Sequence, residues 1–171
     1  MGQITNFPNT VNVGVLSIAD VEVTATAAQI NASVGGGVSN VTAATYTVSS
    51  ADVGNLITLN RAAGIAVTLP AATGSGTQYK FFVGTTAAGG TGYVITRAGN
   101  DTMFGTAYVA QDNASDTIVA FEAAGSTVIT LNGTTTGGIK GNIVTLIDAA
   151  LDTWSVIVSS SATSTEATPF S

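Results

Sequence analysis

Asp112, Asn113, Ser115 and Asp116 put oxygen-bearing side chains into one short stretch. Hard cations such as calcium take ligands of this kind. An EF-hand would need a further acidic ligand and a helix on each side. The stretch therefore reads first as a solvated turn in which Asp and Asn cap backbone groups, with a bound cation at Asp112/Asp116 as the alternative. Asp148 and Asp152 flank Ala149-Ala150-Leu151 in the same manner, as a hairpin connection. A glycosidase needs two carboxylates facing each other across a sugar, about 5–10 Å apart; the chain has ten acids but no motif that pairs two of them. Gly133-Thr134-Thr135-Thr136-Gly137-Gly138-Ile139-Lys140 has the look of a phosphate cradle, but Ile139 separates the glycines from Lys140, and Gly141 stands where Ser or Thr must follow. Gly74-Ser75-Gly76 lacks the third glycine of a dinucleotide loop. The chain contains no histidine and no cysteine. That excludes His-based triads, His or thiolate metal sites, disulfides and thiol nucleophiles. Neither Lys80 nor Lys140 sits in Ser-x-x-Lys. No residue is assigned a catalytic, cofactor-binding or metal-binding role, and the expectation is a protein that is not an enzyme and carries no cofactor.

Charge narrows the partners. Only 8% of the 171 residues are charged, and the net charge is −6. Arg61, Lys80, Arg97 and Lys140 are the whole basic complement, too few for the patch that nucleic acid requires, and the negative net charge is wrong in sign for an anionic membrane. Soluble domains ordinarily carry about 25% charged residues. The surface is expected to be covered by other chains, or kept wet by Thr, Ser and Asn. Met1 to Pro8 lacks a charged start followed by an apolar block, and no apolar run approaches the length of a membrane span, so synthesis and assembly in a cytoplasm are expected. Five Asn-x-Ser/Thr sequons, at Asn31, Asn40, Asn100, Asn113 and Asn132, follow from a composition rich in Asn and Thr.

The elements that would position these side chains are strands. Ile65, Val67 and Leu69 alternate with Ala66 and Thr68, the period of a half-buried strand, and Pro70 stops the ladder. The same grammar recurs at Thr45–Ser49, Leu56–Asn60, Tyr79–Val83, Tyr93–Arg97, Ala107–Ala110, Thr117–Ala123, Thr127–Leu131, Asn142–Ile147 and Trp154–Ser159. Turn residues separate the runs. Short strands at such spacing predict an all-β domain over 45–171, a β-sandwich or barrel of about ten strands. Ser50-Ala51-Asp52 predicts one helical turn capped by Ser50. Asn132-Gly133 with Gly137-Gly138 predicts a long Thr-rich loop. Trp154, in step with Val156 and Val158, reads as a core anchor, with a sugar-stacking platform as the alternative. Residues 1–44 read as an extended arm. It carries alternating valines, one short helix over Thr24–Ala32 with Thr26 and Gln29 at capping-box spacing, and a hinge at Gly35-Gly36-Gly37. The tail Ser160–Ser171 reads as loose, or as docking Phe170 on a neighbouring chain.

Four stretches carry a family likeness. Thr45-Tyr46-Thr47-Val48-Ser49-Ser50-Ala51-Asp52-Val53-Gly54 taken with Gly64 to Pro70, and the run Thr130 to Gly138 with Trp154 closing the domain, resemble virion proteins of tailed bacteriophages. Thr24 to Asn31 looks like a segment recurrent in phage head and fibre proteins. The resemblance covers most of 45–171 and points to capsid decoration (cement) or head-fibre proteins. It implies a non-enzymatic homotrimer on the outer surface of the capsid, bound to the major capsid protein, with an arm reaching across neighbouring capsomers. The alternative within the same likeness is a tail-fibre or tailspike module that binds host glycans.

Overall fold

The computed structural model describes residues 36–88, 92–111 and 117–171, together with two short strands nearer the N-terminus, Ser17–Ile18 (β1) and Val21–Glu22 (β2), which pair antiparallel. From residue 38 onward the described residues are almost wholly strand and turn. In order come β3 (Val38–Val41), β4 (Thr45–Thr47), a single 3-10 turn (Ser50–Asp52), β5 (Leu56–Leu59), β6 (Ile65–Thr68), β7 (Gln78–Val83) and β8 (Tyr93–Thr96). Then follow β9 (Thr102–Gln111), β10 (Ile118–Ser126), β11 (Val128–Leu131), β12 (Ile143–Ala150) and β13 (Thr153–Ala162). Seven strands form one sheet in the order β10-β9-β13-β12-β7-β5-β3, and four form the other in the order β11-β8-β6-β4. The two sheets close on one apolar core, an all-β sandwich as the strand spacing predicts.

The first half of the body is wound rather than folded in hairpins. β3, β5 and β7 lie side by side and parallel in the large sheet, and β4, β6 and β8 lie side by side and parallel in the small one. The chain changes sheet at every strand. A parallel neighbour needs a crossover, and here the crossover from β3 to β5 is β4 in the opposite layer. Three such windings stack in the manner of a short β-solenoid. The second half closes the sheet. β12 pairs antiparallel with both β7 and β13, β9 lies parallel to β13, and the β9–β10 hairpin forms the far edge.

Register brings the apolar positions into rows. Ser39, Ile57, Phe81, Val144, Val158, Ala107 and Phe121 stand opposite one another in succession across all seven strands of the large sheet. They share the inner face, where Ile57, Phe81, Val144, Val158 and Ala107 are fully buried. Tyr93 of β8 reaches across the core, and its hydroxyl donates to the carbonyls of Thr85 (2.5 Å) and Leu59 (3.3 Å). Trp154 is 1% exposed, its ring tilted against Tyr79 with centroids 5.9 Å apart. It is the core anchor, not a surface platform.

Several expectations are refined. All ten expected strands form, with β9 and β10 longer than their most apolar stretches. β3 is an addition: the last part of the stretch read as an arm supplies an edge of the large sheet. Its Ser39 and Val41 alone face inward, too short a pattern to stand out. Gly36, expected within a hinge, lies so close to Gly54 that a Cβ there would overlap the Gly54 carbonyl. The 3-10 turn is capped by Ser49, not Ser50. Its side chain accepts from the Ala51 amide, while the Asp52 carboxylate reaches back to the Ser49 amide. The tail is neither loose nor reserved for a neighbour. Ser171 and Val128 exchange backbone hydrogen bonds, Thr130 donates to Pro169, and Phe170, 7% exposed, bridges to Ile129. The expected helix over Thr24–Ala32 and the valine alternation at Val11–Val15 lie outside the described residues.

Candidate functional site

Among the described residues three carboxylates are buried, and each is engaged by neutral donors. Asp148, 3% exposed, lies near the end of β12 facing the loop before β7. It accepts from the amides of Thr73 (2.8 Å), Gly74 (2.6 Å) and Ser75 (3.1 Å), and from the hydroxyls of Thr73 (2.9 Å) and Ser75 (2.7 Å). Burial alone would raise its pKa. The hydrogen bonds from the Ser75 hydroxyl, the Gly74 and Ser75 amides and the Thr73 hydroxyl outweigh burial and hold the carboxyl well below the usual aspartate range. Asp101, also 3% exposed, accepts from the Ala72 amide (2.8 Å) and the Trp154 indole (3.1 Å). Asp101 and Asp148 thus clamp successive residues of one loop. Asp52 accepts from the Tyr46 hydroxyl, the Ser49 amide (2.9 Å) and the Ser39 hydroxyl (3.2 Å). Burial, then the hydrogen bond to Asp52 and its charge, push the Tyr46 phenol up to about 12, against a smaller pull from the Ser39 hydroxyl. Among the described residues no buried side-chain polar atom lacks a partner, and no cluster of three or more acids could hold a metal.

These arrangements are nests of backbone N–H groups, which ordinarily attract an anion. Here the anion is the protein's own. Residues 73–75 close on Asp148. The glycine-rich loop reads similarly: Asn132 Oδ1 accepts from the amides of Thr134 (2.9 Å), Thr135 (2.8 Å) and Thr136 (3.2 Å), and Asn142 Oδ1 accepts from those of Gly138 (2.9 Å) and Ile139 (3.0 Å). The amides a phosphate would need are already engaged, and Lys140 stands exposed beyond them. Asp152, expected to share a solvated turn with Asp148, is exposed at the tip of the β12–β13 hairpin, with φ of 56°. The two acids of that hairpin are therefore separated in role, Asp148 turned inward and Asp152 outward. Asp112 and Asp116 lie outside the described residues. In the sequence Asp101 stands with Gly99 and Asn100 among the turn residues between strands, with no sign of the buried indole N–H that needs it as acceptor.

What the molecule offers outward is a surface. On the outer face of the large sheet Phe104, Tyr108, Ile157 and Ile118 are 48%, 51%, 54% and 70% exposed. They come from three adjacent strands, β9, β13 and β10. Ile143, Ile147 and Phe82 continue the face, half-buried, onto β12 and β7. Large exposed apolar side chains gathered on one face mark an association surface. Glu122 of β10 and Lys80 of β7 are the charged side chains these five strands present on that face, one at either border. The chain matches no family model, no curated protein and no solved structure.

Proposed function

We propose that this chain is a structural protein of a tailed-phage particle: a decoration or cement protein that joins the outer surface of the head as a homotrimer, contacts the major capsid protein and stabilises the shell without catalysing a reaction. The reading rests on the sequence likeness to phage virion proteins. The observation that carries it is the bare apolar outer face of the large sheet on a body with only 8% charged residues. Such a body gains from being covered, because burial of apolar area is worth about 25 cal/mol per Å². The buried carboxylates support a scaffold role, since each spends its hydrogen bonds on its own chain. The test is to prepare heads with and without this protein and follow shell rupture on heating, imaging the decorated heads for added density at symmetry axes. Rupture at a higher temperature with bound density is the expected outcome. Heads that rupture alike and bind nothing would remove the reading.

One observation favours a second reading. Phe104 and Tyr108 flank Thr106 on the exposed face, and Glu122 lies opposite Thr106 on the next strand. Exposed aromatics beside an acid suit a sugar ring, as in a tail-fibre module binding host glycans. Binding to a glycan array that is lost in Tyr108→Ala would favour it over the first.

A further inference from the structure

We propose that a second copy of this chain docks on the outer face of the large sheet, face to face, about a two-fold axis running along β13. The inference concerns the free protein and uses the same apolar face that the proposed function invokes, so that pairing and shell contact compete for it. A threefold contact elsewhere on the molecule is compatible with it, and pairs of trimers would then form.

The argument comes from register. On the outer face, Lys80 stands opposite Thr145, Thr145 opposite Ile157, Ile157 opposite Thr106, and Thr106 opposite Glu122. This row crosses β7, β12, β13, β9 and β10, so Ile157 lies at its midpoint. A basic end and an acidic end stand two strands away on either side. Rotation about an axis along β13, in the plane of contact, reverses the row. It lays Ile157 on the partner's Ile157 and brings Lys80 over the partner's Glu122, twice by symmetry. A two-fold axis across the strands would instead set like charges together.

The flanking rows agree. Through Ser155 the rotation sets Ile147 over the partner's Phe104, and through Ser159 it sets Ile143 over the partner's Tyr108. Bulky side chains meet half-buried ones, and the hydroxyls lie on the axis. Twisted sheets pack aligned within about 30° and about 10 Å apart, and the long Lys80 and Glu122 side chains take up the lateral offset. Five strands at about 4.8 Å spacing give a face roughly 24 Å wide, at the small end of specific interfaces, so micromolar association is expected.

The symmetry makes a decisive test. The full-length chain is followed by sedimentation velocity over about 1–100 μM, the range set by that interface size. The wild type is expected to form dimers, or pairs of trimers. Lys80→Glu alone and Glu122→Lys alone each place two like-charged pairs in the contact and are expected to weaken pairing at least about tenfold. Mixed in equal amounts, the two variants are expected to pair again, because both cross-contacts then join Glu to Lys. Ile157→Arg sets two cations on the axis and is expected to abolish pairing while its melting temperature and circular dichroism stay as in the wild type. A wild type that stays monomeric or purely trimeric overturns the proposal. So does a mixture no better paired than its components, as would follow if the stretch before residue 36 covered this face instead.

Discussion

At the residue scale, the chain holds its loops with buried carboxylates that accept from amides, hydroxyls and an indole. Asp148 is the strongest case, with five donors around one side chain. Its folded-state pKa lies below that of an unfolded aspartate, about 3.9. The stabilisation it gives is therefore complete above about pH 5 and drains away as the pH falls through and below 4, where the unfolded chain takes the proton first. Asp148→Asn keeps the shape but turns an NH₂ group toward amides that themselves donate. It is expected to lower stability at pH 7 by about 1.5–3 kcal/mol, the range for hydrogen bonds to a charged group. It is also expected to flatten the acid side of the stability profile, both read by urea unfolding at pH 7 and pH 3. These clips were not legible in the sequence. The Asp101–Ala72 bond spans 29 residues and the Asp148–Thr73 bond 75, and no local spacing announces a partner so distant. Only the hydrophobic role of Trp154 could be read directly, from its phase with Val156 and Val158.

At the scale of elements, strands were readable and their partners were not. A period of two says which face a residue takes, but nothing about parallel or antiparallel neighbours. The winding from β3 to β8 was therefore invisible, although nearly every strand in it was foreseen. Two contacts hold the closing half of the chain together. Gly105 of β9, with φ of 152°, lies against Val156 of β13, where a Cβ would overlap the Val156 carbonyl oxygen. Gly105→Ala must part the only parallel contact between the two halves of the closing sheet. It is expected to lower the melting temperature by about 10 °C or more, whereas Gly99→Ala, which meets nothing within 4 Å, is expected to cost only about 1 kcal/mol for its φ of 44°. The tail is the second such element. Phe170→Ala is expected to cost about 3 kcal/mol by thermal or urea unfolding, as buried aromatic truncations do, and to free the edge of β11.

At the scale of the whole molecule, the order of assembly follows from which strand sits in the middle. β13 lies between β12 and β9, and it is the last strand of the chain. The large sheet has no continuous ladder until that strand arrives. Folding dominated by such distant pairings is slow, and stopped-flow refolding followed by Trp154 fluorescence is expected on a timescale of seconds rather than milliseconds. The windings have the opposite character. Each of β5 and β6 pairs only with the strands before and after it in the stack, and the closing half joins the ladders through β7 and β8, with Asp101 and Asp148 also holding the loop between β6 and β7. A coil of some twenty residues is thus a unit of length. Lineages carrying one more or one fewer would change the height of the molecule in steps while leaving the closing sheet and its face as they are, so that a family built on this plan can differ in reach without differing in grip.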